Sequence, residues 1–110
     1  MAIRVLSGII QIGHGPRRGR VVIGFNPHRE IDGDARIERR TEVGAEGDFT
    51  SIPVAFVGFR RLTLVEAEVI ETHSVVLEDD VDRDRLVVSW RAEGNTYPEE
   101  ISYLVIGDAV

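Results

Sequence analysis

Apolar side chains recur at every second position along this chain. Leu86, Val88, Trp90 and Ala92 fall on one face of a segment whose other face carries Arg85, Ser89 and Arg91. Val65-Glu66-Ala67-Glu68-Val69 alternates just as strictly. A repeat of two is that of a pleated strand, whereas a helix with one buried stripe places its apolar residues three and four apart. Ile101, Tyr103 and Val105 alternate with Ser102, Leu104 and Ile106, which predicts a strand covered on both sides. Ile3 to Ile12 reads the same way, with Gly8 as a bulge or a point of close approach.

Turn residues punctuate these runs. Gly13-His14-Gly15-Pro16 ends the first strand, and Asn26-Pro27 ends a second that covers Val21 to Phe25. Asp32-Gly33-Asp34 and Gly44-Ala45-Glu46-Gly47-Asp48 read as tight turns ahead of a strand at Ser51 to Phe56. Glu93-Gly94-Asn95 is expected to join the last two strands as a hairpin-like loop. Leu62 to Glu71 contains helix-forming Leu, Glu and Ala, yet its alternation and short length favour a strand. The apolar set moves there from Leu62 and Leu64 to the odd positions Val65 to Val69, so a bulge or a strand break is expected. The fold class predicted is all-β: one domain over residues 1–110, an antiparallel β-sandwich of about six main strands.

A chain of 110 residues is long enough for one core and too short for two ordinary domains. It has no cysteine, which excludes disulfides, Cys-ligated zinc and thiol catalysis together. The net charge of −6 argues against a nucleic-acid module, which needs a basic face. All 13 basic residues are arginine, a bias that the coding composition of a genome can produce without selection for function. No window is apolar enough for a membrane span, and Met1-Ala2-Ile3-Arg4 does not begin a secretory leader. Neither membrane insertion nor a signal peptide is expected, and the compartment stays open.

Several motifs resemble chemical sites without meeting their requirements. Gly13-His14-Gly15-Pro16-Arg17-Arg18-Gly19-Arg20 is rich in glycine and arginine, but a phosphate cradle needs a helix after the loop. Val21-Val22-Ile23 predicts a strand there. An exposed loop with solvated arginines explains the segment, and so does a landing site where Arg17, Arg18 and Arg20 meet carboxylates or sulfates. Asp79-Asp80-Val81-Asp82-Arg83-Asp84 suggests calcium, yet Arg85 stands where an EF-hand needs glycine, and Arg91 where it needs glutamate. Arginines that neutralise acidic neighbours explain that run more simply. His14, His28 and His73 have no metal-ligand spacing, and no nucleophile elbow or triad is visible. The expectation is a protein that is not an enzyme and that needs no metal or cofactor.

Arg4-Val5-Leu6-Ser7-Gly8, Leu86-Val87-Val88-Ser89-Trp90 and Asn95-Thr96-Tyr97 with Ile101 to Ile106 resemble the first and last two strands of the H-type lectins. That family comprises the snail agglutinins and the discoidin carboxy-terminal domains. The resemblance implies a six-stranded sandwich that forms a homotrimer and binds glycans or polysaccharides. It places Trp90 on the family's tryptophan and Tyr97, with one extra intervening residue, on its tyrosine. Arg91 stands where the family has histidine, which turns the expected ligand towards acidic sugars. The family's aspartate falls on Asp34, and its arginine from the neighbouring protomer falls on Ile70 or Glu71, where no arginine stands. Asp34, Trp90, Arg91 and Tyr97 are therefore the carbohydrate-binding candidates. Two of them have plainer explanations: a core position for Trp90 and a turn aspartate for Asp34. The alternative function is a structural or assembly sandwich, of the phage-tail or adhesin type, that has kept the fold and lost the sugar site.

Overall fold

The computed structural model describes residues 2–13, 17–64, 74–93 and 96–110. Eight strands form two four-stranded antiparallel sheets that pack as a sandwich, and no helix occurs among the described residues. The strands are β1 (Ala2–Gln11), β2 (Arg18–Phe25), β3 (His28–Gly33), β4 (Arg36–Gly44), β5 (Val54–Leu64), β6 (Ser74–Val81), β7 (Arg85–Glu93) and β8 (Thr96–Ala109). Sheet A has the order β4-β1-β8-β5 and sheet B the order β3-β2-β7-β6.

The core is built from the alternation that the sequence displays. Leu6 and Ile10 of β1 and Ile101, Tyr103 and Val105 of β8 point inward from sheet A. Val21 and Ile23 of β2 and Leu86, Val88 and Trp90 of β7 meet them from sheet B. The four strands that supply these residues are the central pairs of the two sheets, where neighbours on both sides satisfy the backbone. Gly8 is a point of close approach. The Tyr103 side chain lies across it, and a Cβ there would collide with that phenol and with the Arg39 carbonyl. The register between β1 and β4 shifts just beyond it, between Ile9 and Ile10.

Two findings correct the sequence reading. Eight strands replace the expected six: β3, β4 and β6 are added, while the segments expected as separate strands at Ser51 to Phe56 and from Leu62 both run into the single strand β5. All three added strands are edge strands, and β3 (HREIDG) and β4 (RIERRTEVG) are mostly charged, which protects an open edge from further pairing. β7 and β8 do not pair as a hairpin, and Gly94 and Asn95 between them lie outside the described residues. β7 lies in sheet B and β8 in sheet A, so their inward residues face each other across the core and the connection crosses between sheets. Pairing of β5 with β8 slips on both sides of Arg61, and the irregularity expected at Leu64–Val65 falls at the edge of the described residues. The alternating segment Val65 to Val69 is outside the described residues.

The outer face of sheet A carries an apolar patch. Register places Val43, Val5, Ile106 and Val54 in one row across all four strands, and Leu104 beside Phe56 in the next. Val43 is 61% exposed, and Val54 and Phe56 are each 58% exposed. No helix among the described residues is long and apolar enough to cross a membrane.

Candidate functional site: an arginine-lined cleft

β2 and β7 run side by side through sheet B, and their register builds the site. Arg18 pairs with Arg91, Gly19 with Trp90, and Arg20 with Ser89. β6 continues the same rows, with Val76 beside Arg91, Leu77 beside Trp90 and Glu78 beside Ser89. Alternation sends Trp90 inward and leaves Arg18, Arg20, Ser89 and Arg91 on the outer face. These outer residues, with Val76, Glu78 and Asp34, line a cleft of about 380 Å³ whose floor reaches Gly19 and Trp90. That is near the lower end of roughly 300–1,000 Å³ for small-molecule sites.

Asp34 follows β3 and is fixed against the start of β2. Its backbone N–H donates to the Arg20 carbonyl at 2.8 Å, and its Oδ2 accepts the Arg20 N–H at 3.1 Å. The Asp34 Oδ1 has no partner among the described residues. Gly19 makes this closeness possible. A Cβ on Gly19 would lie 2.6 Å from Trp90 Cζ2 and 3.0 Å from Asp34 Oδ2.

Three of the four sequence candidates therefore share one cleft: Asp34, Trp90 and Arg91. Trp90 is only 2% exposed and belongs to the hydrophobic core, so it offers the cleft a floor and no open ring face. Tyr97 is separate. It sits on β8 in sheet A, paired with Thr63, with the Arg17 guanidinium 4.9 Å above its ring. Arg17 itself accepts the Ala92 N–H at 2.8 Å, so it links Tyr97 to the strand beyond Arg91. Ile70 and Glu71, the positions assigned to the family arginine, lie outside the described residues.

The charges in and around the cleft are unevenly engaged. Arg20 has Asp32 at 3.6 Å, and Arg91 Nε has Glu93 Oε1 at 4.0 Å. The side chains of Arg18, Glu78 and Ser89 have no partner among the described residues. By contrast, Asp84, just beyond β6, is firmly engaged. Arg85 bonds Asp84 through both Nε and Nη2 at 3.2 Å, which holds the Asp84 carboxyl below the usual carboxylate range.

Two larger clefts, about 620 and 680 Å³, open at the opposite end of β2. Several of their polar groups serve one another. Arg4 is 3% exposed, and its Nη2 donates to the Phe25 carbonyl at 2.7 Å and to Glu42 at 3.3 Å. Buried His28 shares a 2.6 Å hydrogen bond with Tyr103 Oη, and its Nδ1 lies 3.6 Å from Glu42. Burial pushes the Tyr103 phenol up and the His28 imidazole down. Asn26 bonds Asp48 across the same end. Sequence reasoning passed over this cluster, although one signal was present: Arg4 occupies an inward position of β1, in phase with Leu6 and Ile10. Ser89, Glu78 and Gly19 were passed over in the cleft because only strand pairing brings them beside Arg20 and Trp90.

Comparison with protein-family models, with curated proteins and with solved structures finds no match.

Proposed function

We propose that this protein is a non-catalytic carbohydrate-binding module of the H-type lectin kind, acting as a homotrimer. The observation that carries the reading is the convergence of Asp34 and Arg91 in one cleft, over a Trp90 floor. Asp34 is held against Arg20 of β2, and the pairing of β2 with β7 brings it beside Arg91, which is far from it in the chain. Asp34 accepts hydrogen bonds from sugar hydroxyls, Ser89 donates or accepts, and the arginines donate. Val76 gives the apolar contact that the buried Trp90 ring cannot give. Tyr97 falls outside this cleft and takes no direct part.

A cleft with few fixed groups binds one sugar weakly, so the function rests on multivalency. The apolar patch on the outer face of sheet A supports self-association, because its Val43–Val5–Ile106–Val54 row loses solvent contact when copies pack together. Three sites on one assembly raise avidity by ~10²–10⁴-fold where glycans are suitably spaced. The same face favours the second reading, a structural or assembly sandwich whose interface is its function.

A broad glycan array with wild-type, Asp34→Ala and Arg91→Ala proteins separates the two. Wild-type hits that both variants lose, at unchanged circular dichroism, support the lectin reading. Binding that survives both substitutions removes the site from this cleft, and an assembled oligomer with no hits favours the assembly role. Trp90→Ala is unsuitable here, since emptying a core tryptophan site costs about 3–5 kcal/mol and confuses folding with binding.

A further inference from the structure

We propose that the cleft selects sugars bearing a carboxylate, which Arg18 and Arg91 hold as a pair. The proposal rests on the carbohydrate reading above and narrows its ligand class. Two segments that the sequence offers as separate candidates, the Gly/Arg-rich stretch before Val21 and the end of β7, meet at this point. Arg18 and Arg91 are direct register partners on the outer face of sheet B. Side chains in such pairs start roughly 4.5–5.5 Å apart, and like charges placed there oppose folding. The next residue in the row is Val76, so the strand that could have supplied a neutralising carboxylate supplies an apolar side chain.

Acidic residues are not scarce, since the chain has 19 against 13 basic ones. Those around the cleft have other placements. Asp32 faces Arg20 at 3.6 Å, and Asp34 accepts the Arg20 N–H. Glu93 is 4.0 Å from Arg91 Nε, and Glu78 belongs to the adjacent row opposite Ser89. Arg18 is left without a partner among the described residues. A ligand carboxylate relieves the repulsion between the two guanidinium groups, and it accepts their N–H groups in parallel.

The same cleft also contains Asp34 and Glu78. A polysulfate or a dianionic phosphate would meet these carboxylates unfavourably. A uronate-type sugar does not, because its hydroxyls donate to Asp34 while its single carboxylate reaches the arginine pair. Carboxylate and neighbouring hydroxyls on one ring match the cleft's division of charge.

The test is titration calorimetry with galacturonate- and glucuronate-terminated oligosaccharides, their carboxyl-reduced counterparts, a sulfated oligosaccharide and polyglutamate. Uronate binding should fall by about tenfold or more on carboxyl reduction, and by a similar factor in Arg18→Gln and Arg91→Gln. Both variants should keep or raise the Tm, since each removes a like-charge pair. Equal affinity for the acidic and reduced sugars overturns the proposal and leaves the carbohydrate reading intact. Tighter binding of the sulfated sugar or of polyglutamate overturns it in favour of general anion attraction. No binding to any sugar overturns both.

Discussion

Gly19 sets the geometry of the cleft at the scale of a single residue. It has no side chain at the point where Trp90 Cζ2 and Asp34 Oδ2 converge. Gly19→Ala should force one of them away, destabilise the fold by about 1–3 kcal/mol and weaken glycan binding. Chemical denaturation with a parallel binding titration would show both effects, and an unchanged pair of values would contradict this role. Arg4 holds β1 against the end of β2 and the loop after β4 through Phe25, Glu42 and Gly47. Arg4→Ala leaves those acceptors unpaired and should cost about 3 kcal/mol in the same denaturation assay, where a loss under 1 kcal/mol would refute it.

His28 makes stability depend on pH. Desolvation lowers its pKa from 6.5, and Arg40 and Arg4 act in the same direction, while Glu42 and Glu30 oppose them. Below that value the unfolded chain takes up the proton more readily than the folded one. The His28 contribution is therefore complete above 6.5 and is lost as pH falls through the window between the unfolded and folded pKa values. The Tm should drop as pH falls below 6.5, and His28→Gln should flatten that slope. An identical slope in wild type and variant would show that other groups carry the acid sensitivity.

At the scale of elements, the sequence was most readable where both sides of a strand are used. β1, β2, β7 and β8 were visible because their inward positions are filled by Leu6, Ile10, Val21, Leu86, Trp90 and Tyr103 without a break in phase. β3 and β4 were not, because an edge strand whose charges face water has little apolar periodicity. Pairing is not encoded in periodicity either. β7 and β8 are consecutive and both amphipathic, which fits a hairpin as well as a crossover, and the facing of their inward residues across the core decides between them. Half of the cleft was legible for the same reason. Trp90 and Arg91 were found from the family-like end of the chain and Asp34 from its distance to the Ser51 to Phe56 segment, while Gly19, Ser89 and Glu78 enter through the β2–β7–β6 register. Hydrogen exchange should follow this order, with central β1, β2, β7 and β8 amides protected longest and those of β3 and β4 exchanging first. Slower exchange in β4 than in β8 would contradict the sheet order.

The two sheets differ in their outer faces at the scale of the whole molecule. Sheet B carries the charged cleft on its outer face, and sheet A presents apolar rows on the opposite side. Copies that associate through sheet A leave every cleft accessible, which is the arrangement multivalent binding requires. Light scattering should give a mass near three times the 12.3 kDa chain. A Val54→Asp/Phe56→Asp double variant should shift it to the monomer while its single-site sugar affinity changes little. A monomeric wild type would remove the basis for avidity.

Amide chemical-shift mapping of labelled protein titrated with uronate and neutral oligosaccharides locates the sugar site. Saturable shifts are expected at Gly19, Arg20, Asp34, Ser89 and Arg91, with little change at Asn26, His28 and Glu42. Shifts confined to that opposite end, or none with any sugar, would contradict the proposed site.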